Sequence, residues 1–303
     1  MGRRIKKGVF ITSFTLFCIV GILVLSFQIF KAQFDAKKVL REMHSKNVFP
    51  TSTMIPYYED EIHATYAGDL SKPKVVLIHG SPGYWYDFKN IFTDQNLLDN
   101  YCIISYDRPG YGKTSVSVKK RLSDQAKIAE AVMNHFAKDE EKFTVLGHSY
   151  GGAVLEQTIL DYQDKISHAI YIAPCLSPEF QKAKWYNLLV SGGLPNKIMP
   201  HELRISNLEM LALEEDLGIN EKRLKEIHIP TTYIQGEKDI LVPYQTQEYY
   251  LKHHKDVNYS LLEDQDHFVP WSNPDLIIQA IQEKPFIGSV EQKGKELQKI
   301  LAK

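Results

Sequence analysis

Hydrophobic and polar positions fall into three regimes along the chain. At 8–30, 23 consecutive residues carry no charge and are mostly Ile, Leu, Val and Phe. As a helix this run would be about 34 Å long, against about 30 Å for the hydrocarbon core of a bilayer. Because it is apolar on every face, it offers no polar side to solvent, and the pattern predicts a membrane anchor. Residues 34–49 are charged with a helical pattern, closed by Pro50. Beyond them, strand-like apolar runs at 54–58, 62–66, 75–78, 101–106, 143–146, 168–173, 231–235 and 258–262 alternate with helical ones. Such alternation predicts an α/β fold, a mostly parallel eight-stranded sheet covered by helices. One helix is expected from a cap at Ser123 to Ala137, with Ile128, Val132 and Phe136 on its apolar side, and another over 151–162. The alternation lapses once. About fifty residues at 178–229, with helical patterns at 206–216 and 220–226, separate two strands and are too long for an ordinary connection, so an inserted cap is expected.

The predicted organisation is a basic tail at 1–7, a transmembrane anchor at 8–30, a juxtamembrane stalk at 31–50, a catalytic domain at 51–283 and a Lys-rich tail at 284–303. Arg3, Arg4, Lys6 and Lys7 precede the apolar run, as in a signal anchor. Cleavage as a secretory signal is the rival. The run exceeds the usual length of about 7–15 residues, Ala32 follows a lysine, and Leu16 and Phe17 crowd a lipoprotein site at Cys18. Lys31, Lys37, Lys38 and Arg41 nearly balance the basic residues at the start, so the positive-inside count is close to a tie. A short basic tail is usually cytoplasmic, which favours a single-pass protein with its catalytic domain outside the cytoplasm.

Composition narrows the choice of partner. The 303 residues are 44% hydrophobic and 24% charged, and what remains after the anchor is enough for one α/β core. With 36 basic against 37 acidic residues and no basic block outside the termini, nucleic acid is excluded as an expected partner. Cys18, Cys102 and Cys175 lie in apolar stretches without ligand spacing, so they read as buried hydrophobes, and neither a metal nor a cofactor is expected. Oligomeric state is not legible.

The chemistry begins at 147–152, Gly-His-Ser-Tyr-Gly-Gly, between a strand and a helix. G-x-S-x-G in that setting makes a turn so sharp that side chains two residues before or after the serine would collide across it. Ser149 is therefore the candidate nucleophile, and it needs a base that a carboxylate orients. In the chain order of such sites the acid follows the penultimate strand and the histidine the last. Asp239 and His267 occupy those loops. His253, His254 and His148 are the competing histidines; Glu237 and Asp264 are the competing acids, and Asp266 is placed to point away. Oxyanion donors are expected from the backbone N–H groups of Tyr150 and of Ser81, the latter in His79-Gly80-Ser81-Pro82-Gly83. The Ser81 side chain reads as incidental, and His79 as structural.

The motifs HGSPG at 79–83, DRPGYGKT at 107–114, GHSYGG at 147–152, GEKDILVP at 236–243 and DQDHFVP at 264–270 stand in the order of the α/β-hydrolase superfamily, which the chain resembles from about residue 54 to 283. The resemblance implies structural roles for Asp107, Gly110 and Gly112. It is similar in flavour to proline iminopeptidases and small-ester hydrolases, and departs from them in its anchor and short cap. A serine nucleophile separates it from the aspartate-using haloalkane dehalogenases and epoxide hydrolases. The reading is a serine hydrolase that cleaves a carboxylic ester or amide of a small-molecule acyl substrate through an acyl-enzyme, and loses activity on acidification as His267 charges. Alternatives are an iminopeptidase-like aminopeptidase, an acyltransferase, a C–C bond hydrolase, and a non-catalytic membrane-tethered binding protein. Tyr84, Trp85 and Tyr86, with Trp185, Tyr186, Leu188, Leu189 and Val190, either line an acyl pocket or pack the cap on itself. Glu209, Glu214 and Glu215 read as a solvated helix face.

Overall fold

The computed structural model describes residues 35–254 and 257–282; the expected anchor at 8–30 and tail at 284–303 lie outside them. All eight expected strands form: β1 (Thr51–Tyr57), β2 (Asp60–Ala67), β3 (Lys74–Ile78), β4 (Cys102–Tyr106), β5 (Phe143–His148), β6 (Ile166–Ile172), β7 (Thr231–Gly236) and β8 (Val257–Leu262). They make one sheet in the order β1-β2-β4-β3-β5-β6-β7-β8. β2 runs antiparallel to β1 and β4, and every other pairing is parallel. β3, β4 and β5 are buried throughout, as unbroken apolar runs require when both sheet faces are covered. β1 carries Pro56, which is tolerated because β1 is an edge strand with one neighbour.

Alternate residues of β3 feed two cores. Val76 and Ile78 pack with α2 (Leu122–Phe136) and α3 (Tyr150–Tyr162), whereas Val75 and Leu77 pack with Phe88, Phe92 and the helix α1 (Ala36–Ser45). α1 belongs to the segment expected as a stalk, yet it lies on the domain. Asp35 caps it through Lys37 N, Val39 and Met43 present a buried i, i+4 pair, and Glu42 meets Lys89 at 2.7 Å. α2 begins after Arg121 rather than at a Ser123 cap. Its first N–H groups find a distant partner: Leu122 N donates to Asp216 Oδ2 at 2.9 Å, beside an Arg121–Asp216 ion pair.

The insertion between β6 and β7 is helical, made of α4 (Trp185–Val190), α5 (Gly193–Ile198), the long α6 (His201–Asn220) and a 3₁₀ segment, Glu221–Glu226, and is called the cap below. α6 starts earlier than the 206–216 pattern because Pro200 stands at its N-cap, and 220–226 is a 3₁₀ turn rather than a second helix. α7 (Gln245–His253) and α8 (Pro274–Ile281) complete the described chain. Among the described residues, no helix is long and apolar enough to cross a membrane.

β3 lies between β4 and β5, so the chain leaves it first toward one side of the sheet and later returns on the other. The loops after β3 and β5 therefore diverge at the carboxyl edge, where open α/β sheets bind ligands.

α3 also carries a buried carboxyl group, Glu156, whose Oε1 accepts from Asn220 Nδ2 at 3.4 Å. Burial raises its pKa to about 8, so the folded protein keeps it protonated at neutral pH. The unfolded chain ionises it from about 4.3 upward, binds fewer protons over that window, and stability falls as pH rises between the two values. Glu156→Gln should flatten this part of the curve, read as Tm against pH; an unchanged slope would contradict the assignment.

Candidate active site

The strand–turn–helix at β5 and α3 holds Ser149 at φ +55° and ψ −122°, a conformation uncommon for a residue with a side chain. The flanking glycines are required by space: a Cβ on Gly147 would lie 2.4 Å from Gly151 O, and one on Gly151 2.2 Å from Ile78 O. Ser149 N donates to Ile172 O at 3.0 Å, and Cys175 N to Ser149 O at the same distance, which fixes the turn from both sides. The Ser149 hydroxyl faces Cys175 Sγ at 3.9 Å. That thiol is neutral, its pKa pushed up to about 12 by burial.

Asp239 follows β7 and His267 follows β8, as the chain order requires. His267 Nδ1 donates to Asp239 Oδ2 at 2.7 Å, and both side chains are buried. The carboxylate is fully dressed. Oδ2 also accepts from Gln235 Nε2 at 3.0 Å, and Oδ1 from the N–H groups of Leu241 and Val242 at 2.9 and 2.8 Å. Such donors fix the orientation of the carboxyl group toward the imidazole. The competing acids are elsewhere: Glu237 is exposed and Asp264 pairs with Lys238 at the surface, while Asp266 accepts from Phe268 N. His254 is stacked on Tyr250 and His253 donates to Tyr249 O, both away from Ser149.

His148 packs its ring against His267 and Trp271, and its Nε2 donates to the His267 backbone carbonyl at 3.1 Å. Burial lowers its pKa to about 3, so it stays neutral and acts as a fixed donor under the histidine loop.

Ser149, His267 and Cys175 line one cavity of about 420 Å³ with Ser81, Tyr186 and Trp271 among its walls. The loop after β3 passes so close that a Cβ on Gly80 would sit 3.1 Å from Ser149 Cβ. Its first peptide is locked. Gly80 O accepts from Arg108 Nη2 at 2.7 Å and from His79 Nδ1 at 2.8 Å, while His79 Nε2 accepts from Arg108 N at 3.0 Å. In a trans peptide the N–H lies opposite the C=O, so holding the Gly80 carbonyl also sets the Ser81 N–H.

Arg108 was not among the sequence candidates, and it organises the site's rear wall. Fully buried, its guanidinium contacts Glu209 of α6 at 2.5 Å, Gln125 at 2.8 Å and His79 O at 3.0 Å. Burial opposes the charge most strongly, but Glu209 together with the Tyr111 and Tyr150 hydroxyls overcomes it and the pKa rises. Glu209 also accepts from Ser81 Oγ at 2.5 Å, Tyr111 OH at 3.0 Å and Gln125 Nε2 at 2.8 Å. Two expectations are corrected here. Glu209 is a buried anchor rather than part of a solvated face, and the Ser81 side chain is held, not incidental. Glu215 does remain exposed, paired with Arg121. A usable signal existed: Glu209 occupies the i+4 step of the apolar row Ile205, Leu213 and Leu217.

The structural roles given to the 107–114 segment hold. Asp107 accepts from His63 Nδ1 at 2.7 Å, Trp85 N at 3.1 Å and Lys113 N at 3.0 Å. Gly112, at φ +55°, lets that carboxylate approach where a Cβ would overlap it. The aromatic clusters divide. Tyr84 and Tyr186 line the cavity, Trp85 and Tyr86 are core, and Trp185, Leu188 and Leu189 are exposed rather than packed within the cap.

Geometry of this kind defines the site of an α/β-fold hydrolase, and comparison agrees. Residues 73–191 match the family model of the alpha/beta hydrolase fold. The chain is similar to the proline iminopeptidase PfmaB of Pestalotiopsis fici, 22% identical over 71% of this chain and 92% of that protein. It is also similar to the (R)-3-hydroxydecanoyl-ACP:CoA transacylase of Pseudomonas putida, 24% identical over 69% and 80%. Among solved structures it resembles the 2-hydroxy-6-oxo-6-phenylhexa-2,4-dienoate hydrolase of a Rhodococcus species at TM-score 0.62 and 19% identity, covering 78% of this chain and 98% of that one. A bacterial membrane phospholipase A superposes at TM-score 0.61 and 16% identity, covering 90% and 96%. Over residues 73–191 the chain matches the alpha/beta hydrolase fold family, and along most of its length it is similar to proteins of that fold.

The buried pair makes a stability prediction. Glu209→Ala leaves the Arg108 charge uncompensated and should cost about 3–5 kcal/mol in urea unfolding, whereas Glu215→Ala on the exposed side of the same helix should leave the midpoint unmoved. Equal midpoints for the two variants would refute the role given to Glu209.

Proposed function

We propose that this chain is a membrane-anchored serine hydrolase that cleaves a carboxylic ester through an acyl-enzyme. The observation that carries the reading is the buried Asp239–His267 bond of 2.7 Å, on loops that share a cavity with Ser149 in its strained turn. His267 takes the Ser149 proton through Nε2 as Oγ attacks the acyl carbon, and Asp239 stabilises the imidazolium. The N–H groups of Ser81 and Tyr150 hold the oxyanion, each worth on the order of 3 kcal/mol of barrier. His267 returns the proton to the departing alcohol. Water, deprotonated by the same imidazole, then frees the acid.

Ester is favoured over a free amino-terminal substrate by the cavity wall, which includes Leu203, Met210, Leu241, Val242 and Phe268. The carboxylate that lines the cavity, Asp87, is buried, accepts from Tyr84 N at 3.0 Å and has its pKa raised to about 7 by burial, while Glu209 nearby is paired with Arg108 and Glu202 accepts from the Tyr84 hydroxyl at 2.8 Å. An aminopeptidase is the second reading, favoured by the similarity to a proline iminopeptidase. Acyl transfer is favoured only by the similarity to a transacylase. The anchor rests on the uncharged run at 8–30, with the domain outside the cytoplasm.

A fluorophosphonate probe should label the wild type and fail on Ser149→Ala; labelling of both, or of neither, would reject Ser149 as nucleophile. Asp239→Asn should lower kcat by about 10⁴-fold with the probe site still present; an undiminished kcat would remove Asp239 from this role. Aryl esters should outpace proline arylamides; the reverse order selects the aminopeptidase.

A further inference from the structure

The cavity mouth is ringed by apolar side chains that no described residue covers. Tyr186, Leu241 and Phe268 line the cavity, and their neighbours stand in solvent: Ile240 is 91% exposed and Trp185 74%, with Leu188 and Leu189 also exposed on α4. These residues come from the cap and from the loops that carry Asp239 and His267, so they converge on one opening. A contiguous apolar surface at a cavity entrance marks an interaction site.

Charge and chain path identify what it meets. From 180 to 201 there is no Asp or Glu, while Lys182, Lys184 and Lys197 are exposed beside the apolar residues. On the cap side of the rim, apolar side chains flanked by lysines suit an anionic lipid surface. The chain also enters the described structure on this side. Asp35 and Ala36 border a cleft whose other walls include Tyr84, His201 and Glu202, and Tyr84 is shared with the catalytic cavity. Asp35 follows the uncharged run ending at Phe30 by five residues, which span at most about 18 Å. A tether that short keeps the mouth close to any leaflet the run is anchored in.

We propose that the apolar rim seats on the anionic leaflet that holds the anchor, and that the substrate is an acyl ester of a membrane lipid drawn from that leaflet into the cavity. This rests on the ester-hydrolase reading above and names its substrate class. Ser149 Oγ bonds to the acyl carbon as the ester C–O bond breaks, the lipid alcohol leaves with the proton carried by His267, and water releases the fatty acid.

The test uses the full chain in vesicles of phosphatidylglycerol and phosphatidylcholine in equal parts. Brominated acyl chains should quench tryptophan fluorescence in the wild type more than in Trp185→Phe. Combined Leu188→Asp, Leu189→Asp and Ile240→Asp, all on exposed positions, should slow release of fatty acid from the vesicles by about tenfold or more while soluble p-nitrophenyl acetate is cleaved within about twofold of wild type. Quenching equal to Trp185→Phe overturns the docking, as does a dimer that the triple variant dissociates, which would assign the rim to a second copy. Cleavage of p-nitrophenyl acetate but not of vesicle lipid overturns the substrate class and leaves the hydrolase reading intact. Failure to cleave either ester, with no fluorophosphonate labelling, removes both.

Discussion

The Arg108 guanidinium, sealed between the cap and the sheet, is the constraint on which the site's rear wall depends. It donates to two backbone carbonyls of the loop after β3 and to Glu209 of α6, so one cation ties that loop to the cap. A buried ion pair brings little net stability, because desolvating both partners offsets their attraction. Its contribution here is positional. With Gly80 O committed to Arg108 and His79, rotation of the Gly80–Ser81 peptide would break two hydrogen bonds at once.

The same economy of donors recurs at the acid. Asp239 accepts from two backbone N–H groups, one amide and His267, leaving the carboxylate no freedom to turn away from the imidazole. His148 then holds the backbone of the histidine loop from beneath. The residue before Ser149 thus positions His267, a link between the two loops that runs through a backbone carbonyl rather than a side chain.

The strands and the loops carrying Ser149, Asp239 and His267 were legible because each is a local pattern: apolar runs, two glycines about a serine, an acid and a histidine after successive strands. The polar partners were not. Arg108 and Glu209 are 101 positions apart, and Asp216 caps a helix 94 positions before it. No periodicity relates such residues, and an exposed and a buried carboxylate look alike one at a time. Only the burial row of α6 distinguishes Glu209 from Glu215. α1 was read from its charges as a stalk, while its two apolar positions, Val39 and Met43, decided where it lies.

The cap enters the chain after β6 and leaves before β7, two strands that pair directly with each other. Residues that shape the cavity from above can therefore diverge, lengthen or be exchanged without changing any strand register or touching Ser149, Asp239 or His267. That freedom has two fixed points. Whatever replaces α6 must return one carboxylate to Arg108 and another to the start of α2, so two acidic side chains set the minimum grammar for a transplanted cap.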